Sequence, residues 1–214
     1  MNQGGKLFKN DYALRVKLRN FVNENPLGKH IKPLIKDAYH ALNAYLPYPR
    51  DFLLKTVPKG GVYCEVGVYE GFLSERILKI CKPQKLYLVD PWMALPHTKK
   101  AKYSEEAQNR RYGTVLEKFK KEIETGTAIL VRKKSDEAAA LFFDGEFDFV
   151  YVDGDHAYEQ VKKDLQNYYP KVKAGGILAG DDYNLEGVGR AVDEFVKEKN
   201  LSFETKDFQF IIKK

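Results

Sequence analysis

Two apolar stretches of the sequence each end in a group of acidic side chains. The first stretch is FDFVYV at 147–152, and the second is GGILAG at 175–180. The acidic residues that follow them are Asp153 and Asp155, then Asp181 and Asp182. Two carboxylates about 4 Å apart repel each other by roughly 4 kcal/mol at an effective dielectric constant near 20. If the stretches are neighbouring strands, the cluster needs a bound cation or a retained proton, and its oxygen ligands favour Mg²⁺, Mn²⁺ or Ca²⁺.

Each of these residues also has an ordinary structural interpretation. Asp155 could cap a helix that starts near Ala157, and His156 could be a surface residue of its first turn. Asp181 and Asp182 could form a solvated turn before the next helix. These interpretations do not explain why the acids stand at the ends of successive apolar stretches.

The elements that would position these side chains can be read from the alternation of short apolar runs with helical segments. From about residue 60 this alternation predicts a parallel sheet covered by helices on both faces. The predicted strands are 61–68, 85–90, 127–131, 147–153 and 175–181, followed by the segments LSFET and FQFIIKK. The predicted helices between them are 71–81, 104–124, 135–143, 157–170 and 186–199. Ligands of such sheets bind beyond the carboxyl ends of the strands.

The first predicted strand runs into EVGVYEG, residues 65–71, which precedes a helix. Gly67 and Gly71 permit tight turns and close approach of a ligand. The spacing is not that of a dinucleotide-binding loop, and Glu65 would repel a pyrophosphate but attract a cationic amine. Asp90 ends the second strand, where an acid commonly accepts hydrogen bonds from ribose hydroxyls. Together these features favour a nucleoside with a cationic tail, such as S-adenosylmethionine (SAM), over NAD; an ordinary turn at 65–71 and a capping role for Asp90 are the alternatives.

Composition sets broader limits. The chain has 214 residues, 36 basic and 30 acidic, with a net charge of +6, which fits an anionic substrate, a nucleic acid or simply solvated basic faces. Cys64 and Cys81 lie outside any metal-binding or disulfide pattern, so we expect reduced thiols. No window approaches the ~20 apolar residues of a membrane span, and we therefore predict a soluble, cytoplasmic protein.

The motifs EVGVYEG, LYLVDPW, VDGDHAYE, LQNYYPKVKAGG and GDDY resemble those of class I SAM-dependent methyltransferases. The resemblance covers about 60–200 and is closest to the small-molecule O-methyltransferases of the catechol, caffeoyl-CoA and macrocin sugar types. It implies a Rossmann-like, doubly wound α/β fold with a seven-stranded sheet, mostly parallel with an antiparallel last strand. It divides the chain into an N-terminal helical extension, 1–50, and a methyltransferase domain, 51–214.

The resemblance also implies which residues contact SAM. The residues so implied are Glu65, Gly67, Tyr69, Gly71, Ser74, Asp90, Trp92, Ser135 and Asp153. Glu65 and Gly67 would face the methionine and ribose, Asp90 would hold the ribose, and Trp92 and Ser135 would lie beside the adenine. The chain departs from its relatives in one place, because many of them have a serine two residues after the second glycine, where this sequence has Leu73.

The metal-dependent members of this family imply that Asp153, Asp181 and Asp182 bind a divalent cation, with Mg²⁺ favoured. The base that accepts the substrate proton is His156 by analogy with the catechol type and Asp155 by analogy with the macrocin type. A pKa near 6.5 favours His156 for base work at neutral pH.

The substrate region is predicted from position in the chain. Residues 92–114 are polar, aromatic and basic, and we expect them to form a lid, although a helix with a solvated face is the simple alternative. The predicted acceptor contacts are His97, Tyr103, Arg111, Tyr112 and Arg190. The N-terminal helices could wall the pocket or form a homodimer contact.

These observations predict a SAM-dependent O-methyltransferase that acts on a hydroxylated small molecule, such as a sugar or glycan precursor, with help from a divalent metal. A nucleic-acid methyltransferase is the first alternative, suggested by the charge. Amino-methylating members of that class often carry Asn/Asp-Pro-Pro-aromatic after the fourth strand, whereas this chain has Asp-Gly-Asp-His. A non-catalytic SAM-binding module is the second alternative.

Overall fold

Seven strands form one sheet in the computed structural model, which describes residues 50–94 and 101–214. The strands are β1 (Val62–Val66), β2 (Lys85–Val89), β3 (Ala128–Val131), β4 (Phe147–Val152), β5 (Val172–Gly180), β6 (Phe203–Lys206) and β7 (Gln209–Lys213). Their order across the sheet is β3-β2-β1-β4-β5-β7-β6. The first five strands pair in parallel, and β7 is antiparallel to both of its neighbours. The predicted Rossmann-like α/β fold, in which the last strand of the chain is antiparallel, is confirmed.

Helices connect the strands, as parallel pairing requires. The helices are α1 (Asp51–Leu54), α2 (Phe72–Cys81), α3 (Glu105–Lys118), α4 (Lys120–Glu124), α5 (Ser135–Ala139), α6 (Tyr158–Tyr168) and α7 (Glu186–Glu198), with a 3₁₀ turn at Ala101–Tyr103. The single helix predicted at 104–124 is divided at Phe119, whose backbone leaves the helical conformation. Its buried ring packs against Gly71, where an added Cβ would lie 2.6 Å from Phe119 Cε2.

The largest apolar core lies between the sheet and helices α6 and α7. Val161 and Leu165 of α6 and Val188 and Val192 of α7 pack there with Val150 of β4. Each fully buried side chain of this size contributes roughly 1.5–3 kcal/mol of transfer free energy. Strand β4 is the centre of the sheet and carries a nearly continuous apolar sequence, as expected of a strand buried on both faces.

The two cysteines lie inside this framework. Cys64 is in the middle of β1, between Tyr87 of β2 and Val150 of β4 in the register of the sheet, and is fully buried. Cys81 ends α2 and its thiol donates to the carbonyl of Leu54 at 3.3 Å. Burial raises the pKa of both thiols, that of Cys81 to about 11. Both are free thiols, as predicted.

A bulge at the start of β5 sets the position of the strand ends. Phe147 pairs with Val172 but Phe149 pairs with Ile177, so the additional residues loop out around Gly175, which has φ +80°. After the bulge the register is regular, and Val152 pairs with Gly180. Because β4 and β5 then end level, Asp153 and Asp181 leave the sheet side by side.

Strands β6 and β7 form a tight hairpin. Its two tip residues, Asp207 and Phe208, have φ angles of +51° and +68°, as a two-residue turn of the primed type requires. Glycine and asparagine normally occupy such positions, so no local sequence signal predicts this turn.

Phe52–Lys214 forms one compact unit. Of the predicted extension at 1–50, only residue 50 is described. The predicted lid residue His97 lies outside the described residues. Both therefore stay predictions. Among the helices of the described part of the chain, none is long and apolar enough to cross a membrane.

Candidate active site

Three side chains converge beyond the carboxyl ends of β4 and β5. One ligand atom from each of Asp153, His156 and Asp182 lies within 4.8 Å of the others. His156 Nε2 is 3.2 Å from Asp182 Oδ2 and 3.7 Å from Asp153 Oδ1. We call these three residues the carboxylate–histidine cluster. The sequence predicts Asp153 and Asp182 in one group but assigns His156 to a separate role, and Asp181 is not part of the cluster.

Asp153 is positioned by the loop that follows β1. Its backbone N–H donates to the carbonyl of Val66 at 2.7 Å. A Cβ at Gly67 would lie 2.0 Å from the carbonyl oxygen of Asp153, and Gly67 has φ +91°. The glycine is therefore required because the loops after β1 and β4 touch each other, a reason that the sequence alone does not reveal.

His156 lies between two carboxylates, with 43% of its side chain exposed. The carboxylate of Asp153 is the main cause that raises its pKa above the ordinary value, burial opposes the rise, and the charge of Asp182 adds to it. Asp155, between these residues in the chain, is exposed, and its Oδ1 accepts a hydrogen bond from the backbone of Ala157 at 2.8 Å. Asp155 therefore makes the capping contact that its position suggests, and its side chain is exposed.

Asp182 is held in an unusual backbone conformation, with φ +58°. Its carbonyl accepts from Leu185 N–H at 2.8 Å, and the next residue, Tyr183, donates its N–H to the carbonyl of Phe208 at the tip of the β6–β7 hairpin. A positive φ at a non-glycine residue persists only where surrounding contacts impose it. The hairpin tip is one of those contacts.

The loop after β1 is tied to the loop after β2 by Asp90. Its carboxylate accepts backbone hydrogen bonds from Val68 at 3.0 Å, Tyr69 at 2.9 Å and Trp92 at 2.7 Å. Burial raises the pKa of Asp90, and the backbone donors oppose the rise. The same carboxylate that is predicted to hold a ribose thus shapes the loop on which the ribose would rest.

Glu65 is almost completely buried and accepts a hydrogen bond from Ser74 Oγ at 2.5 Å. The Ser74 hydroxyl, predicted to meet the methionine of SAM, is thus directed to Glu65. Gly71 has φ +71° at the start of α2. Its lack of a side chain admits the ring of Phe119.

Trp92 is buried and covers the same loop. Its Nε1 donates to the carbonyl of Tyr69 at 3.0 Å, and its ring lies 5.1 Å from that of Tyr112. Arg111 crosses from α3 to this loop, with its guanidinium 4.3 Å from the centre of the Tyr69 ring and its Nε 3.5 Å from Glu70 Oε1. Tyr103 lies on the other side, with its ring centre 5.9 Å from the guanidinium.

Ser135 belongs to a partly buried network of polar groups between α5 and α6. Its hydroxyl donates to Asp164 Oδ1 at 2.6 Å, and Gln160 Nε2 donates to both Ser135 Oγ and Asp164 Oδ1. Burial raises the pKa of Asp164 to about 6 despite these donors. Asp164 and Gln160 are site candidates that the sequence analysis does not identify, because nothing local distinguishes them from other polar residues of an amphipathic helix.

Arg190 contacts residues of helices α6 and α7. Its guanidinium stacks 4.2 Å from the ring centre of Tyr158, and its Nε donates to Glu194 Oε1 at 3.0 Å on the same helix. Tyr158 also donates its hydroxyl to Glu194. These contacts give Arg190 a role in joining α6 to α7.

Gln209 is the polar residue that the sequence analysis most clearly misses. It begins β7, its exposed fraction is 1%, and its Oε1 has no hydrogen-bond partner within the described residues. A buried acceptor without a donor is uncommon in folded proteins.

Comparison with known proteins identifies the family. Residues 64–183 match the family described as methyltransferase domain. An uncharacterized protein of Acanthamoeba polyphaga mimivirus is 27% identical over 124 residues, which are 56% of this chain and 51% of that protein. The chain thus spans about half the length of the curated relative it matches.

Solved structures agree with the fold. A Corynebacterium glutamicum protein superposes with a TM-score of 0.58 at 14% identity, over 94% of this chain and 97% of its own. A proposed methyltransferase of Streptococcus mutans, in complex with S-adenosylhomocysteine (SAH), superposes with a TM-score of 0.56 at 13% identity, over 78% and 98%. With a family match that covers more than half of its length, the chain belongs to the methyltransferase-domain family.

Proposed function

We propose that the protein transfers a methyl group from SAM to a hydroxyl of a small molecule, with a divalent cation at the carboxylate–histidine cluster. The observation that carries the proposal is the convergence of Asp153, His156 and Asp182 beyond the carboxyl ends of β4 and β5. The loop after β4, which carries Asp153, touches the loop after β1 at Gly67. A cation and an acceptor there would stand next to the predicted cofactor loop.

The donor atoms fit a divalent cation. Ligands at about 2.1 Å from a metal ion stand roughly 3.0–3.5 Å apart, and His156 Nε2 lies 3.2 Å and 3.7 Å from its two carboxylate neighbours. One nitrogen and two oxygens suit Mn²⁺ and related ions better than Mg²⁺, which prefers an all-oxygen shell. When bound, such a cation would lower the pKa of an acceptor hydroxyl.

The chain's own residues hold and prepare the reactants. Asp153 and Asp182 are fixed by backbone hydrogen bonds of their loops, and His156 completes the donor set. Because His156 Nε2 is directed at the cluster, we assign the acceptor proton to Asp155, whose side chain is exposed. The acceptor oxygen then attacks the methyl carbon, the sulfur–carbon bond breaks, an oxygen–carbon bond forms, and SAH leaves.

The test separates cofactor binding, metal binding and turnover. Calorimetry measures SAM and Mn²⁺ binding, and transfer of tritiated methyl groups to catechol and to methyl glycosides measures activity. We expect enzyme treated with EDTA to bind SAM normally but to lose at least 100-fold in turnover, with recovery when Mn²⁺ is added. Full activity after chelation would contradict the metal assignment.

Variants divide the roles within the cluster. Asp153→Asn and His156→Gln should weaken Mn²⁺ binding 10-fold or more, whereas Asp155→Asn should keep Mn²⁺ and SAM binding and lose turnover. Asp207→Asn is the matched control, since it removes a carboxylate from the nearby hairpin tip and asparagine accepts the same positive φ. Methylation of RNA, but of no small hydroxylated molecule, would overturn the proposed acceptor class.

A further inference from the structure

Gln209 carries a buried amide oxygen whose hydrogen-bonding capacity is not satisfied by the described residues. The side chain is 99% buried, and within the described part of the chain its Oε1 accepts no hydrogen bond. Removing an amide oxygen from water without giving it a donor destabilises the folded state. Gln209 lies on β7, the second strand from the edge of the sheet. An apolar side chain would be more stable at this buried position, so the amide is best explained by a ligand that supplies the hydrogen-bond donor.

The register of the sheet places Gln209 at the active-site edge. Strands β5 and β7 pair with Ile177 opposite Lys213 and Gly180 opposite Phe210. One step further along this register, Gln209 stands opposite Asp181. Val152 pairs with Gly180, so Asp153 occupies the corresponding position on β4. Residues at opposed positions share a face of the sheet, and Asp153, Asp181 and Gln209 therefore form one row.

A backbone contact next to Gln209 holds it to the loop after β5, which carries Asp182. The carbonyl of Phe208, directly before it, accepts the N–H of Tyr183, directly after Asp182. Phe208 adopts φ +68°, a conformation that is strained for an aromatic residue. A strained tip that joins β7 to the loop carrying Asp182 is the arrangement expected where a side chain must be held at a defined place.

We propose that Gln209 is a specificity-determining residue that accepts a hydrogen bond from a second hydroxyl of the methyl acceptor. The inference rests on the proposed function and narrows its substrate class to molecules with at least two hydroxyls, one at the carboxylate–histidine cluster and one at Gln209. A neutral amide oxygen suits a hydroxyl donor, and a site built to pair a substrate hydroxyl rejects analogues that lack it.

The test uses Gln209→Leu, which keeps a similar side-chain size and removes the amide. The acceptor probes are catechol with phenol, and methyl α-glucopyranoside with its monodeoxy analogues. For the best diol probe we expect KM to rise at least 10-fold in the variant, with kcat within threefold and an unchanged SAM affinity. The wild type should prefer the diol over the analogue that lacks the second hydroxyl. The variant should lose nearly all of this preference.

Gln84→Leu is the matched control, because it makes the same chemical change at an exposed residue between α2 and β2. It should leave KM and discrimination unchanged. An unchanged KM and retained discrimination in Gln209→Leu would overturn the inference.

A second measurement needs no acceptor. Because the leucine removes an unsatisfied buried acceptor, the Tm of Gln209→Leu should equal or exceed that of the wild type. A lower Tm would mean that the amide serves the fold and would overturn the inference. If wild-type enzyme methylates no hydroxyl at all, the proposed function fails, and the Tm result still decides whether Gln209 is kept for a ligand.

Discussion

Gly67 is the residue at which the loop after β1 and the loop after β4 come into contact. Its Cα stands so close to the backbone of Asp153 that any side chain would collide with a carbonyl that cannot move aside. The sequence predicts a glycine that lets a ligand approach, and the structure adds that it lets a second loop approach. Substitution here should therefore disturb folding as well as binding.

Gly67→Ala should lower the free energy of unfolding by about 2–4 kcal/mol, because it combines a positive φ with a backbone collision. Urea denaturation measures the change. The control is Gly154→Ala, where an added Cβ would meet nothing within 4 Å, and we expect less than about 1 kcal/mol. Equal effects of the two substitutions would refute the proposed contact.

Asp164 predicts a pH dependence of stability. Its pKa of about 6 in the folded state lies above the ordinary value of 3.8, so the folded state holds the proton more strongly than the unfolded state. Ionisation of the Asp164 carboxyl therefore lowers the free energy of unfolding as the pH rises from about 4 to 6, by up to about 3 kcal/mol. Asp164→Asn should remove this loss.

The measurement is the free energy of unfolding of wild type and Asp164→Asn between pH 4 and 7. The variant should gain on the wild type as the pH rises, while the exposed Asp136→Asn control should follow the wild-type curve. Parallel curves for wild type and Asp164→Asn would show that the carboxylate ionises without penalty.

Arg111 of helix α3 makes several contacts with the loop after β1, and Lys118 of the same helix donates to the carbonyl of Glu70 in that loop at 3.0 Å. The guanidinium donates to the hydroxyl of Tyr69 at 3.1 Å and to Gln108 Oε1 at 2.9 Å, lies over the Tyr69 ring, and pairs with Glu70. The planar group of arginine allows stacking and several hydrogen bonds at once, which lysine cannot reproduce. These contacts therefore tie helix α3 to the loop after β1.

Arg111→Lys should weaken SAM binding about 10-fold, because Tyr69 and its neighbours lose the contact that orders the loop. Calorimetric titration with SAM measures this. Arg110→Lys is the control from the same helix, since Arg110 is largely exposed and, among the described residues, forms an ion pair only with Glu106 one turn away, at 3.8 Å. Comparable loss of affinity in both variants would assign the effect to charge rather than to the contact.

How far the elements could be predicted depends on the range of the interactions that form them. Alternation of strands and helices is local, and it correctly locates the five parallel strands, β1 to β5. The bulge between Phe147 and Phe149 and the Asp207–Phe208 turn are set by partners distant in sequence, so local patterns do not reveal them. The break at Phe119 similarly depends on a contact with Gly71, 48 positions earlier.

The site follows the same division. Acidic residues at strand ends can be read from the sequence, since the carboxyl edge of a parallel sheet gathers them. The insertion of His156 between Asp153 and Asp182 depends on side-chain directions, and Gln209 becomes notable only once its burial and register are known. The unmatched acceptor of Gln209 has no counterpart in any local sequence pattern.

At the scale of the whole molecule, cofactor binding should stabilise the fold. SAH at 100 times its Kd adds about 2.7 kcal/mol to the free energy of unfolding, which for a domain of this size raises Tm by roughly 5–10 °C. Thermal unfolding with and without SAH measures the shift. No shift at saturating SAH would contradict cofactor binding, and guanosine at the same concentration serves as the control.

The thiol of Cys64 allows opening of the central strands of the sheet to be measured by chemical modification. It is shielded by the strands on either side and protonated at neutral pH, so a disulfide reagent can reach it only when β1 separates from β2 or β4. The rate of disulfide exchange at the Cys64 sulfur would therefore report the rate at which the central strands open. Slower modification of Cys64 in the presence of cofactor would show how far cofactor binding reduces the opening of these strands.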